Sequence, residues 1–426
     1  MSQRQYIHIT PSNQPANSVI SYKAGIPLVV FTIGEQERYL LGKTIRLNGK
    51  FRLRKGIPSA SNPVLAVDKV SLDSRLGIMS VIDQLTISSK RTNATMEQIR
   101  HYGRFLSSYQ AMTNGPNDFI GHYSGMFNST GDEEIDKRLN VRTSVAPANA
   151  PYLTSFSMPL LCGLFTGDNP IPLSTEWGVQ GVQITINLAN DMNCLQSAVG
   201  VDAFYELSDL HLTAEVSGPN GDEQASGTFM YNTISSFYDV VSASYSTINF
   251  NLGLSRVLGA WINFIKAKDV NNPLVNGYST LPIANATGTP APLKRVAFLR
   301  GGVKFPLQYE LDSYDTPIIG PELLRNYINA ISTFTKLSRT CISVENTNNF
   351  KIGDVHTPFS TNGGAVFGIG CAYDQISGVG ADFSSQQMAV IMECDLNTIG
   401  DPYGAYMFVH AKAALQYGPA GIMVHT

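Results

Sequence analysis

The sequence predicts an all-β chain in which one antiparallel β-sandwich fold occurs twice. Three observations carry that prediction. Apolar and polar residues alternate with period two over many short segments. Matched segments recur in the same order in the two halves of the 426 residues, a length that allows two or three domains. Charged residues make up only 15% of the chain, against roughly 25% in an ordinary domain, and Ser, Thr, Asn, Gly and Pro fill the space between the alternating segments.

The first half opens its alternation at 45–53, where Ile45, Leu47, Phe51 and Leu53 occupy odd positions and Arg46, Asn48, Lys50 and Arg52 even ones. In a strand the two sets face opposite sides, one to a core and one outward. Thr95 to about Met112 reads as a helix, with a capping box at Thr95-x-x-Gln98 and a stripe of Ile99, Tyr102, Leu106 and Tyr109. Two strands close the half: Val182, Ile184, Ile186 and Leu188, then Leu210, Leu212, Ala214 and Val216, each alternating with polar residues.

The second half follows the same order. Ile248, Phe250 and Leu252 alternate with Asn249 and Asn251. A helix is expected from Pro321, with Pro at its first position, to about Thr333, its stripe formed by Leu324, Tyr327, Ile328 and Ile331. Met388, Val390, Met392, Cys394 and Leu396 share one strand face. Met407, Val409, Ala411, Ala413 and Leu415 share another, opposite His410, Lys412 and Gln416. One-sided strands of this kind build antiparallel sandwiches.

The most similar local phrases are Leu41-Gly42-x-x-Ile45-x-Leu47 and Leu258-Gly259-x-x-Ile262-x-Phe264, read as a matched pair of hairpins 217 positions apart. The penultimate strands are 206 apart and the last 197 apart, a drift expected when elements are shared and loops differ in length. The predicted organisation is an N-terminal segment 1–20, a first domain 21–218, a Gly/Pro/Asp/Ser linker 219–235 and a second domain 236–426. Long loops are expected at about 114–160, 268–292 and 335–365, where functional or contact surfaces tend to lie.

Candidate chemistry is sparse, and no catalytic, cofactor-binding or metal-ligating residue is nominated. The five cysteines, Cys162, Cys194, Cys341, Cys371 and Cys394, show no CxxC spacing and read as buried free thiols of a reducing compartment. No histidines sit at HxH or HExxH spacing, and His211 and His410, on the polar faces of matching last strands, are expected to be solvated or at an interface. The acidic run Asp132, Glu133, Glu134 and Asp136 reads as a solvated loop. A glycosidase needs two carboxylates across a cleft, and nothing nominates a pair. The glycines of Gly363-Gly364-Ala-Val-Phe-Gly368-Ile-Gly370 lack the Lys-Ser/Thr of a phosphate loop.

Net charge is −3, and the first twenty residues carry only Arg4 among Lys and Arg, which argues against strong direct binding of nucleic acid. The one charge stripe is Lys43, Arg46, Lys50, Arg52, Arg54 and Lys55, expected to be a subunit contact, an inner-surface face or simply solvated. The N-terminus has no apolar signal-peptide run, and no stretch of about 18 apolar residues suggests a membrane span.

Three phrases resemble strands of the double jelly-roll major capsid proteins of DNA viruses. These are YLLGKTIRLNGKFRL early in the first half, IPLSTEWGVQGVQITINLAND late in it, and DPYGAYMFVHAKAALQYGPAGIMV at the close of the second. Phe367 to Asp395 adds to the likeness, and the modest length is similar to polinton-like, virophage-like or adintovirus-like members, or a small phage relative. The resemblance implies two tandem eight-stranded antiparallel jelly-roll barrels, each with a short helix in a loop. It further implies a homotrimer forming a pseudo-hexagonal capsomer, an icosahedral shell shared with neighbouring capsomers, penton and minor capsid proteins, and an underlying membrane in some members. The implied location is the virion, after synthesis in the host cytoplasm or nucleus. The alternative is a carbohydrate- or receptor-binding β-sandwich of spike or lectin type. Exposed aromatic platforms would favour it, whereas Trp177 and Trp261 fall in or beside predicted strands.

Overall fold

A computed structural model describes residues 4–15, 18–64, 68, 70–73, 76–112, 154–218, 227–278, 293–307, 321–334, 368–373, 379–394, 399–418 and 421–426. The acidic run at 132–136, most of the three long loops and Cys341 lie outside them. In chain order the first half contains β1 (Arg4–Ile9), β2 (Leu28–Ile33), β3 (Tyr39–Lys55), β4 (Ile82–Ser89), β5 (Thr95–Arg100), helix α1 (Tyr102–Met112) and β6 (Thr154–Pro159). The one-turn helix α2 (Gly163–Thr166), β7 (Val182–Leu188), α3 (Asp191–Cys194) and β8 (Ala203–Ser217) follow. The second half contains β9 (Gly227–Val241), β10 (Tyr245–Phe250), β11 (Val257–Lys266), β12 (Leu293–Arg300), β13 (Val303–Lys304), helix α4 (Pro321–Ser332), β14 (Gly368–Ala372), β15 (Met388–Cys394), β16 (Tyr403–Gly418) and β17 (Gly421–His425).

Each half has two layers built on four principal strands, with two-residue strands at 62–63 and 171–172 added on β3 in the first half and β17 added on β16 in the second. In the first they run β1-β8-β3-β6 and β2-β7-β4-β5; in the second β9-β16-β11-β14 and β10-β15-β12-β13. The order of the principal strands is the same in the two halves. All pairings are antiparallel, and in both halves the last long strand inserts between the first and the third. That is the Greek-key return of a jelly roll, and it occurs twice. The longer helix also has one place in both, α1 between β5 and β6 and α4 between β13 and β14.

Alternation determines the cores. Strand β3 buries Leu40, Ile45, Leu47, Phe51 and Leu53 and leaves its intervening residues part-exposed. Val182, Ile184, Ile186 and Leu188 of β7 point inward, as do Met388, Val390, Met392 and Cys394 of β15. The second barrel has a separate interior cluster, whereas that of the first continues past its own sheets onto the outer face of β11 and β16.

Four expectations are corrected or refined. The Leu-Gly phrases are not hairpins: each lies inside one long strand, β3 or β11. Their glycines mark close approach. A Cβ on Gly42 would lie 2.8 Å from the Phe165 Cα of α2, and one on Gly259 would lie 2.5 Å from Thr333 Oγ1, just after α4.

The helix expected from Thr95 starts only at Tyr102, and 95–100 is a strand paired with β4. A turn at 90–94, with Asn93 at φ 57°, sends the chain back along β4. His101, at φ 55°, then breaks the strand, and its carbonyl accepts the first helical bonds from Arg104 and Phe105. Residues 227–235 of the expected linker belong to β9, while 219–226 lie outside the described residues. The N-terminal segment is built into the first sheet, because β1 pairs along β8 from Arg4↔Ser217 to Ile9↔Leu212.

Candidate functional site

With no nominated catalytic centre, the residues of interest are those joining the barrels and those of the charge stripe. Helix α1 leaves the first barrel and packs on the outer sheet face of the second. The Phe105 ring centroid lies 6.2 Å from Trp261, 5.8 Å from Phe408 and 5.6 Å from Phe334, and Tyr109 lies 5.8 Å from Phe334. Offset and edge contacts of this kind add to the stabilisation from buried area. A polar chain crosses the same layer: Tyr327 OH donates to Asn263 Oδ1 at 2.7 Å, and Asn263 Nδ2 donates to Ser108 Oγ.

The described part of the loop after β11 reaches back to the first barrel. Arg104 Nη1 donates to the Gly277 carbonyl at 2.9 Å, Ser197 N to the Pro273 carbonyl at 2.8 Å, and Tyr278 OH to the Ser80 carbonyl. The Arg104 guanidinium also sits 4.4 Å from the Tyr406 ring centroid, a cation–π contact within the seam.

Glu97 of β5 is the most unusual polar group in the seam. It is buried, and its carboxylate accepts from Gly163 N and Leu164 N at 2.8 Å each and from Ile234 N at 2.7 Å. The first two donors begin α2, and the third is on β9 of the second barrel. Burial pushes its pKa up to about 7, against the pull of the three N–H groups. Beside it, Tyr231 OH donates to the Met96 carbonyl at 2.8 Å. Gly163 has no room for a side chain, because a Cβ there would meet Asn232 O at 2.4 Å.

His410 is not at a solvated face. It is 2% exposed, with its Nδ1 3.1 Å from Thr333 Oγ1 and the Phe334 ring edge-on at 5.5 Å. Burial drives its pKa down to about 3. The polar face of β16 does lie away from the barrel interior, but α4 and the turn after it cover that side. His211, by contrast, is half-buried and stacks on His8 with centroids 4.3 Å apart.

Each residue of the charge stripe has a partner within the chain. Lys43 pairs with Asp168, Lys50 with Asp209 at 2.6 Å, Arg52 with Glu206 and Lys55 with Asp68 at 2.7 Å. Arg46 donates to Ser157 Oγ and O at 2.8 Å, and Arg54 Nε to Ser61 Oγ at 3.0 Å. The stripe is therefore a row of cross-strand and loop contacts with its charge largely matched.

A half-open cleft of about 540 Å³ lies along the seam, lined by Leu164, Asp168, Phe229, Met230, Arg256 and Lys412 among others. Its carboxylate, Asp168, is the partner of Lys43. Among the described residues no group of three or more His, Cys, Asp or Glu is placed to hold a metal ion. Cys162, Cys194, Cys371 and Cys394 are free and buried, and burial holds the Cys371 thiol up at about 12. Among the described residues, no helix is long and apolar enough to cross a membrane.

Two tandem barrels with one strand order define a double jelly-roll fold, the fold of capsid proteins of large DNA viruses and virophages. Among the solved structures that share it is the Faustovirus major capsid protein, at 8% identity over 97% of this chain and 90% of that one, with a TM-score of 0.59. The Sputnik virophage structure matches at 12% identity, 99% and 88% coverage and a TM-score of 0.53, and the mavirus major capsid protein at 11%, 98% and 89%, and 0.51. No protein-family profile matches the sequence, and no curated protein matches it. At these identities the likeness is one of fold.

Proposed function

We propose that this chain is the major structural subunit of a viral shell and has no enzymatic activity. It acts as a homotrimer in which six barrels give a pseudo-hexagonal capsomer, and capsomers tile an icosahedral shell. The observation that carries this reading is the shared order of the principal strands, with one helix in the same place in both barrels. Coverage of nearly the whole chain by known capsid proteins supports it.

The rest of the surface is consistent with that role. Four of the six stripe residues pair with carboxylates of the chain, which leaves the stripe poorly suited to a phosphate backbone. Neighbouring capsomers, penton and minor capsid proteins, and in some shells a membrane, are the partners this reading implies, and the virion is the location. A lectin-like role has less support, because Trp261 is fully buried and Trp177 only 8% exposed.

Analytical ultracentrifugation and negative-stain imaging of the purified full chain test the proposal. A three-chain particle with a six-lobed outline is the expected result. A chain that stays monomeric at high concentration and forms no shells overturns it.

A further inference from the structure

We propose that Glu97 fixes the orientation of one barrel relative to the other. The seam has two kinds of contact. The aromatic layer around Phe105 is adhesive but weakly directional, since apolar burial rewards area rather than angle. The Glu97 contact is directional. One oxygen, Oε1, accepts from Gly163 N of the first barrel and from Ile234 N of the second, so a single atom is held by both.

The surrounding geometry narrows the approach further. On β9, Tyr231 OH is tied to the Met96 carbonyl, and the Asn232 carbonyl rests where Gly163 has no Cβ. The Ile234 N–H is available because it points away from β16, on the free edge of β9.

A buried carboxylate is a poor choice if adhesion is all that is required. Desolvating it costs several kcal/mol, offset here because three backbone N–H groups, which an apolar residue would leave without an acceptor, all point at it. A fully satisfied buried polar group does something an apolar residue does not, which is to select one arrangement. The inference does not depend on the shell reading, although a tile with a fixed outline needs such an arrangement.

The test measures orientation, not only stability. Spin labels go on Val199→Cys and Val303→Cys, at positions 82% and 70% exposed on the two barrels, in a Cys341→Ser background. Pulsed dipolar spectroscopy then gives the distribution of distances between the barrels. The Glu97 chain should show one narrow peak. Glu97→Ala should widen it roughly twofold or shift it, and Glu97→Gln, which keeps one acceptor oxygen, should fall between.

Ile99→Ala, which removes apolar volume from the same strand, is the control and should lower stability without widening the peak. If Glu97→Ala does not fold, Glu97→Gln carries the test against that control. An unchanged distribution in the Glu97 variants, or equal widening by Ile99→Ala, overturns the proposal.

Discussion

Strands β3 and β11 occupy the same place in their barrels but live in different surroundings. Both are third in order, both pair with the last long strand, and Gly42 matches Gly259. Inward positions agree in kind, with Ile45 against Ile262 and Leu47 against Phe264. Outward positions do not: Thr44, Arg46 and Asn48 stand where β11 has Trp261, Asn263 and Ile265. Every residue of β11 is buried, while the outward residues of β3 stay part-exposed. The difference lies in the helices. Both α1 and α4 pack against the outer face of the second barrel, whereas among the described residues β3 meets only one helix, the one-turn α2, near Gly42. A duplicated fold can thus share one interior pattern while its exteriors diverge according to what covers them.

The largest expected effect comes from removing the ring that joins the barrels. Phe105→Ala should destabilise the chain by about 3–5 kcal/mol in chemical denaturation, as large-to-small changes at a fully packed site do. A loss no larger than that of a typical surface change would mean that the barrels stand independently.

Acid is the next probe of the covered face. The folded chain keeps His410 neutral down to about pH 3, whereas the unfolded chain takes up the proton near 6.5. The stability from burying this neutral ring is present above the unfolded value. It drains as the pH falls through that window, by up to about 1.4 kcal/mol per pH unit. His410→Gln should flatten the slope of thermal stability against pH between 6.5 and 4, and an unchanged slope would place the acid sensitivity elsewhere.

A matched pair of glycine variants compares the barrels directly. Gly42→Ala and Gly259→Ala should each cost about 1–3 kcal/mol through overpacking. The Gly42 change is expected to cost more, since its near neighbours are all backbone atoms of Phe165, whereas a Thr333 side chain is among those of Gly259. Equal values by denaturant melt would show that α4 yields no more than α2.

The smallest effect belongs to the stripe. Lys43→Ala breaks a pair whose side chains are 57% and 93% exposed, and such pairs are worth roughly 0–1 kcal/mol. A larger loss would give the uncovered face of β3 a share in holding the first barrel together.

Much of this fold was legible from alternation, and the errors have one physical source. Period two reports which side of a strand a residue takes, and it assigned Ile45, Val182, Met388 and Met407 correctly to the interiors. It does not report whether the other side meets water or a second layer. His410 was therefore expected at a solvated or interface position, when a helix far away in sequence covers it. The Thr95-x-x-Gln98 pattern misled for a related reason. A capping box is a local motif, whereas Glu97 answers to donors on α2 and β9, far along the chain. The Leu-Gly phrases were correctly matched to each other but wrongly explained, because a glycine at ordinary φ signals a close neighbour rather than a turn. Glu97 itself gave no sign in the sequence beyond being a charged residue with Met96 before it and Ile99 two positions after.

The place of the last strand in each barrel also sets an order of assembly during synthesis. The first barrel can close once β8 has left the ribosome, but Phe105 and Tyr109 of α1 then lack their partners in the second barrel. Its partners on β11 can pair early with β14, but Phe408 and the central strand of that sheet come only with β16, near the end of the chain. Until then the nascent chain carries an uncovered aromatic helix, the kind of surface that draws chaperones or promotes aggregation. Growth conditions that slow translation of the second half should therefore lower the soluble yield more than those that slow the first.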